Sequence, residues 1–242
     1  MRYLVFSDVH GNVEALERVL EEAERLRPDV VVSLGDVVGY GANPNECVAL
    51  VQERAAIRIA GNHDAAAAGL IDTDAFGEAA ERAILWTCRA IDLSSLELLG
   101  EYDTIRRHGD CVFAHASPTA PMGWEYVYTL NQANAILGGT TERFVFIGHT
   151  HVPGIIERDD ARGSRVLRSP FAAVAPGSRY LVNVGSVGQP RDGVAAASFA
   201  LLDEHKGTIV IRRIPYDVRG AQEKIRSAGL PESLAARLAT AR

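Results

Sequence analysis

The chain has few cysteines, few tryptophans and methionines, and no excess of positive charge. Its 242 residues include three Cys, two Trp and two Met. Cys47, Cys88 and Cys111 are odd in number and far apart, which excludes a disulfide framework and a paired-cysteine metal knuckle. A reducing cytoplasm is the expected setting. No apolar run approaches the roughly 20 residues of a membrane span, and the opening MRYLVFSDVHGN meets an acid too early for the apolar stretch of an export signal. Neither membrane anchoring nor export is therefore expected. The formal charge of -6 gives no general attraction to polyanions. Nucleic acid is not expected as a stable partner, and any phosphate-bearing ligand needs local cations, from arginines or metal ions. No Gly-Lys-Ser/Thr follows the glycines of GSVGQPRDG, so Gly185 and Gly188 read as turn residues rather than a phosphate loop.

What the chain does have is a 47% hydrophobic content, enough for a sizeable core, with no repeat, linker or low-complexity segment. One domain over residues 1–242 is expected. RYLVFSD (2–8) reads as a short buried strand and VEALERVLEEAERL (13–26) as a helix, by the spacing of their apolar residues. The pattern recurs in DVVVSLGD (29–36) before PNECVALVQER (44–54), where Pro44 suits a first helical turn, and in AIRIAGN (56–62) before an alanine-rich stretch. Alternating β and α predicts an α/β fold with helices outside parallel strands. Residues 74–102 read as helical. CVFAHAS, RFVFIGHT and RYLVNVGS then resume short strands, SFALLD and GTIVIRRIPY read as antiparallel strands, and PESLAARLATA reads as a helical tail.

Polar residues gather at the predicted strand ends: SDVHGN, LGDVVGYG, AGNHD, FAHAS and IGHTH. In open α/β sheets the C-terminal strand ends converge on one crevice. Of seven histidines, His10, His63, His115, His149 and His151 lie in these clusters and only His108 and His205 lie elsewhere. Asp8 and His10 alternate by two, as do His149 and His151, so along an extended chain each pair projects to one side and can grip one ion. Gly35, Gly61 and Gly148 precede Asp36, Asn62 and His149, which permits sharp turns and close backbone approach. Asp8, His10, Asp36, Asn62, His115, His149 and His151 are too many ligands for one ordinary site. Two metals bridged by one carboxylate fit the count. Mixed oxygen and imidazole donors suit Mn, Fe, Co, Ni or Zn, and the lack of cysteine ligands argues against a closed structural zinc site.

In this order the clusters resemble the signature of the calcineurin-like metallophosphoesterases: DxH, GDxx, GNH followed by an acid, a lone His, then GHxH. The resemblance spans residues 8–151, with supporting strands expected through NVGSVGQPRDG. It implies a four-layer α/β/β/α sandwich of two mixed sheets. It also implies one metal held by Asp8, His10, Asp36 and His151 and another by Asp36, Asn62, His115 and His149, with Asp36 as the bridge. Such a site polarises a water towards hydroxide for in-line attack on phosphorus. His63 is implied as the catalytic group that contacts the phosphate or protonates the leaving group. Asp64 reads either as its orienting and charging partner or as a helix N-cap, and the two roles are compatible.

Departures narrow the class. The segment GDVVGYG lacks the phosphate-contacting arginine of the protein Ser/Thr phosphatases and symmetrical diadenosine tetraphosphatases, and Asp64 replaces their usual Glu. The chain is therefore nearer the compact bacterial phosphodiesterase-like branch, often manganese-dependent, acting on small phosphoesters. The expected function is a dimetal phosphodiesterase, the alternatives being a phosphomonoesterase or phosphoprotein phosphatase, or a non-catalytic scaffold on the same fold. Segments 72–102 and 117–141 are surplus to the smallest members of that branch and are expected to lid the crevice. Asn12 reads as a helix cap in preference to a phosphate contact. Arg191 reads either as a bidentate phosphate ligand or as a solvated loop residue. Tyr40, Asn43, Trp124, Tyr126 and Tyr128 either line a pocket or are packed.

Overall fold

Alternation of period two sends every other residue of a buried strand into a different layer. In β1 (Arg2–Phe6), Tyr3 and Val5 join one apolar cluster while Leu4 and Phe6 join another, and all four are fully buried. The computed structural model describes residues 1–159 and 161–242. After β1 come α1 (Val13–Leu26), β2 (Val30–Ser33), α2 (Pro44–Arg54), β3 (Ile57–Arg58), α3 (Asn62–Ala67), α4 (Glu78–Ala90) and α5 (Leu93–Gly100). The second half runs β4 (Ile105–His108), β5 (Cys111–Ala114), α6 (Leu130–Gly139), β6 (Phe144–Ile147), β7 (Gly154–Asp159), β8 (Gly163–Leu167) and β9 (Phe171–Ala173). It closes with β10 (Arg179–Asn183), β11 (Ala197–Asp203), β12 (Thr208–Ile214), α7 (Val218–Ser227) and α8 (Glu232–Thr240).

The strands form two mixed six-stranded sheets, ordered β3-β2-β1-β11-β12-β9 and β4-β5-β6-β10-β7-β8. Parallel pairing links β1, β2 and β3 in the first sheet and β5, β6 and β10 in the second. The other pairs are antiparallel, including β11 with β12 as the sequence predicts. The sheets face each other through Tyr3, Val5, Val32, Phe113, Phe146, Tyr180 and Val182, with the Phe113 and Phe146 rings stacked at 5.5 Å. Leu16, Val19 and Leu20 of α1 and Val48 and Val51 of α2 cover the outer face of the first sheet. Ala133, Ile136 and Leu137 of α6 cover Val112, Val145, Ile147 and Leu181 of the second. Helix, sheet, sheet and helix thus make the four-layer α/β sandwich.

Two expectations are refined. The segment 117–141 is not all cover for a crevice, because apolar spacing in α6 seats that helix on the second sheet. The strands β7, β8 and β9 form where the sequence reading placed none; β8 and β9 are short, largely exposed edge pieces with no apolar alternation to mark them. Among the described residues, no helix is long and apolar enough to cross a membrane.

Candidate metal and substrate site

All six parallel strands feed one crevice. Asp8 and His10 follow β1, Asp36 follows β2, Asn62 and His63 follow β3, His115 follows β5, His149 and His151 follow β6, and the loop Val184–Arg191 follows β10. Ligand atoms of Asp8, His10, Asp36 and His151 lie within 4.8 Å of one another, as do those of Asp36, His115 and His149. Asp36 belongs to both groups: its Oδ2 is 3.6 Å from His10 Nε2 and 3.4 Å from His115 Nε2. Its Oδ1 accepts the His63 amide at 2.8 Å, so the start of α3 is tied to the shared carboxylate.

The pincer geometry arises differently from the extended chain that alternation implied. Asp8, His10, His149 and His151 have φ of 55°, 51°, 66° and 59°, and Asp36 has 51°. Left-handed backbone at each ligand turns the chain back after its strand, so alternate residues still aim inward. Nine described non-glycine residues have positive φ; Arg27 and Ala241 end helices, and the other seven are these five with Tyr40 and Trp124, all at the site. Such conformations cost about 1–3 kcal/mol each and persist only where surrounding structure over-determines them. Two glycines allow the crowding: a Cβ at Gly61 would collide with the Asp36 carboxylate, and one at Gly148 with Ser7 and Asp8.

Each imidazole is held by a backbone carbonyl on its outer nitrogen. His10 Nδ1 donates to Val38 O at 3.1 Å, His115 Nδ1 to Leu34 O at 2.9 Å, His151 Nδ1 to Gln189 O at 2.6 Å and His149 Nε2 to Trp124 O at 2.9 Å. Those bonds fix the tautomers, so each ring when neutral presents a lone pair on its inner nitrogen. The inner nitrogens then face one another, His10 Nε2 to His151 Nε2 at 3.1 Å and His115 Nε2 to His149 Nδ1 at 3.0 Å. Asp8 Oδ1 and Asn62 Oδ1 are buried and receive no hydrogen bond. Converging lone pairs and orphaned oxygens fit divalent cations.

The electrostatics agree with a site built for positive charge. Burial opposes ionisation of Asp8 and Asp36, yet the imidazoles around them, His151 and His115 foremost, hold both below the usual carboxylate range. Burial also opposes a charge on His115, but Asp36 raises it to about 9, so without a cation that ring keeps a second proton, which a bound metal would displace. His149 lies about 4, chiefly from burial and then from His115.

His63 lines the crevice beside these groups. Its ring meets those of His10 at 4.8 Å, Tyr40 at 4.5 Å and Phe76 at 4.9 Å, and its Nδ1 is buried without a partner. Burial lowers it to about 4, so the imidazole is neutral at rest. Asp64, expected to orient His63, to cap the helix or to do both, turns to backbone. Asp64 Oδ1 accepts the Val37 and Val38 amides at 2.8 and 3.1 Å, and Oδ2 accepts the Gly61 amide at 3.0 Å. Asp64 is the third residue of α3 and accepts the amide of Gly61 in the cap position, a capping-box bond at the helix start, and its hydrogen bonds go to backbone rather than to His63. Burial, then Asp36, raises it to about 7, against the pull of the amides.

The remaining expectations sort by partners. Asn12 caps α1, accepting the Ala15 amide at 3.1 Å, and its Nδ2 donates to Gly188 O at 2.8 Å, which occupies both ends of the amide. Arg191 reaches the site edge, where its guanidinium sits 5.8 Å from the Tyr40 ring. A crevice of about 330 Å³ opens beside Asn62, His63 and His149, walled by Tyr40, Phe76, Trp124 and Tyr126. Segment 72–102 contributes Asp72, Ala75, Phe76, Gly77 and Ala80, and segment 117–141 contributes Gly123, Trp124 and Tyr126. Tyr126 stacks on His149 at 4.1 Å and on Tyr128 at 5.4 Å, while Asn43 bonds Glu46 at the start of α2. Phe76 and Gln189 went unseen in the sequence; neither stands in a motif, and Gln189 acts partly through its main-chain oxygen.

Comparison with known proteins gives concordant matches. Residues 1–207 match the calcineurin-like phosphoesterase superfamily domain. The chain is 37% identical over 238 residues to an uncharacterized protein of Methanocaldococcus jannaschii, covering 97% of this chain and 96% of that one. It superposes on a metallophosphoesterase from Sphaerobacter thermophilus with a TM-score of 0.88 at 39% identity, covering 100% of this chain and 99% of the other. A hypothetical protein from Pyrococcus horikoshii shares the fold, with a TM-score of 0.80 at 19% identity and coverage of 100% and 98%.

Proposed function

From membership of the calcineurin-like phosphoesterase superfamily, to which this chain belongs and which makes it a phosphoester hydrolase, we propose a two-metal phosphodiesterase acting on small phosphoesters. The observation that carries this reading is Asp36 Oδ2, placed between one group made with Asp8, His10 and His151 and another made with His115 and His149. Asn62, whose buried Oδ1 has no partner, completes the second group. Two divalent cations held there, manganese first and Fe, Co, Ni or Zn next, would supply an activated water and neutralise phosphoryl oxygens.

The chain's own groups do the rest. A neutral His63 keeps one ring N–H to donate to a phosphoryl oxygen, and the hydrogen bond from its main-chain N–H to Asp36 Oδ1 ties its backbone to the shared carboxylate. Burial of the ligands at no more than 5% exposure for Asp8, His10, Asp36, His115, His149 and His151 keeps bulk water from competing for them. Asp64 acts as a positioning residue that joins the Asp36 loop to the start of α3 through three amides. A diester is favoured over a monoester because the aromatic crevice offers room for an esterifying group, and GDVVGYG offers no arginine for a dianionic phosphate. The free cysteines Cys47, Cys88 and Cys111 accord with a cytoplasmic setting.

The test is a screen of aryl mono- and diesters with each metal, together with elemental analysis. Diester turnover restored by manganese, with about two metals per chain, is expected. Faster monoester turnover under every metal would reverse the substrate class, and absence of both turnover and bound metal would leave a scaffold.

A further inference from the structure

Two guanidiniums converge on one neutral oxygen at the edge of the metal cluster. Arg191 donates from Nη2 to Gln189 Oε1 at 2.8 Å, and Arg237 of α8 donates from Nη1 to the same oxygen at 3.3 Å. Among the described residues neither makes an ion pair; Asp192, next to Arg191, is taken by Arg213 at 2.7 Å. Like charges held this close repel, and burial, followed by Arg191, weakens the hold of Arg237 on its proton. An uncharged amide oxygen satisfies little of what ten guanidinium N–H groups offer. The Gln189 Nε2 beside them is buried without a partner.

The pair adjoins both halves of the proposed site. The main-chain oxygen of Gln189 holds His151 Nδ1, placing the arginines one residue from the metal ligands. The Tyr40 hydroxyl lies 3.5 Å from Arg191 Nη2, Tyr126 also interacts with Arg191, and both tyrosines wall the aromatic crevice. Paired guanidiniums suit phosphate oxygens, which they bind through parallel N–H donors. Residue 237 lies on the C-terminal helix α8, past residues 1–207 that the family domain matches.

We propose that Arg191 and Arg237 form an anion subsite for a second phosphate of the substrate, which is a nucleotide-type phosphoester whose planar ring occupies the aromatic crevice. This rests on the phosphodiesterase reading above. Arg237 is the specificity residue contributed from outside the ligand loops, and Arg191 joins the subsite to the crevice through Tyr40.

The experiment uses the manganese-loaded full chain and two esters with one leaving group: thymidine 5'-(p-nitrophenyl phosphate) and the same compound carrying a 3'-phosphate. The wild type is expected to favour the 3'-phosphorylated ester by about 10- to 100-fold in kcat/KM, the scale of a charge-assisted contact. Arg237→Gln should cut that preference about tenfold, and Arg237→Lys should restore part of it. Calorimetric binding of thymidine 3',5'-bisphosphate against thymidine 5'-monophosphate should show the same loss, without turnover. A preference unchanged in Arg237→Gln, with the thermal midpoint intact, overturns the subsite while leaving the hydrolase. Hydrolysis of neither ester, with bisphosphate binding still dependent on Arg237, overturns the hydrolase while supporting the subsite.

Discussion

The space between the sheets and the crevice at their ends are built by opposite rules. Between the sheets, Tyr3, Val5, Phe113, Phe146 and Val182 alternate along regular strands and are fully buried apolar groups. A few residues beyond strands of the same sheets, at the crevice, Asp8, Asp36, His149 and His151 sit in left-handed backbone, and the rings of His151 and His149 turn a nitrogen towards those of His10 and His115. The first region gains stability from every residue, by about 25 cal/mol per Å² of apolar surface removed from water. The second stores strain and unpartnered polar atoms, which a bound cation would relieve. The rigid region holds the costly one in shape, and substitutions should separate the two.

The largest effect belongs to Asp36→Asn. The amide keeps an oxygen for the His63 N–H but lacks the charge that both ligand groups share, so kcat/KM should fall by about 10⁴-fold or more while manganese content drops, read by steady-state kinetics and elemental analysis. Manganese should also raise the thermal midpoint of the wild type and not of this variant. If the variant without metal melts well below the wild type without metal, the crevice is stabilising and the contrast fails. Next comes Phe146→Ala, expected to cost about 3–5 kcal/mol in denaturant unfolding because it empties a stacked position between the sheets. Folded Phe146→Ala protein should retain its metal.

His63→Ala should lower kcat by about 10²-fold, the usual scale for a positioned donor, with metal content unchanged. A proportional loss of metal would instead make His63 a structural prop of the cluster. The smallest effect is that of Asn12→Ala, about 1 kcal/mol from a lost helix cap, with kcat within about threefold. A larger fall in kcat than in stability would return Asn12 to the substrate.

The legibility of the sequence follows the same division. Strands β1, β2, β6 and β10 and helices α1 and α2 could be read because their apolar spacing is the cause of their burial. The ligand set was readable as residue types at strand ends, and the two groups found in space contain six of those side chains. Backbone conformation was not readable: Asp8-Val9-His10 looks like alternation on an extended strand, and only tertiary contacts force φ of 55° and 51°. Asp64 was legible only as a helix-start residue, for a related reason. Adjacent to His63 in sequence, it turns towards the Val37 and Val38 amides of a different loop, and a helix start places consecutive residues about 100° apart. Arg237 gave no signal, because its neighbours Leu234, Ala235 and Leu238 mark only a buried helix face.

The outer nitrogens of the four imidazoles end on main-chain carbonyls of Leu34, Val38, Trp124 and Gln189. A carbonyl survives any replacement of its side chain, so the ligand scaffold is insulated from drift at those positions. Trp124 shows what this permits: its oxygen anchors His149 while its indole walls the crevice. Ring and anchor are separable, which on the proposed function gives this protein a place where substrate preference can be rewritten with the candidate ligands left in register.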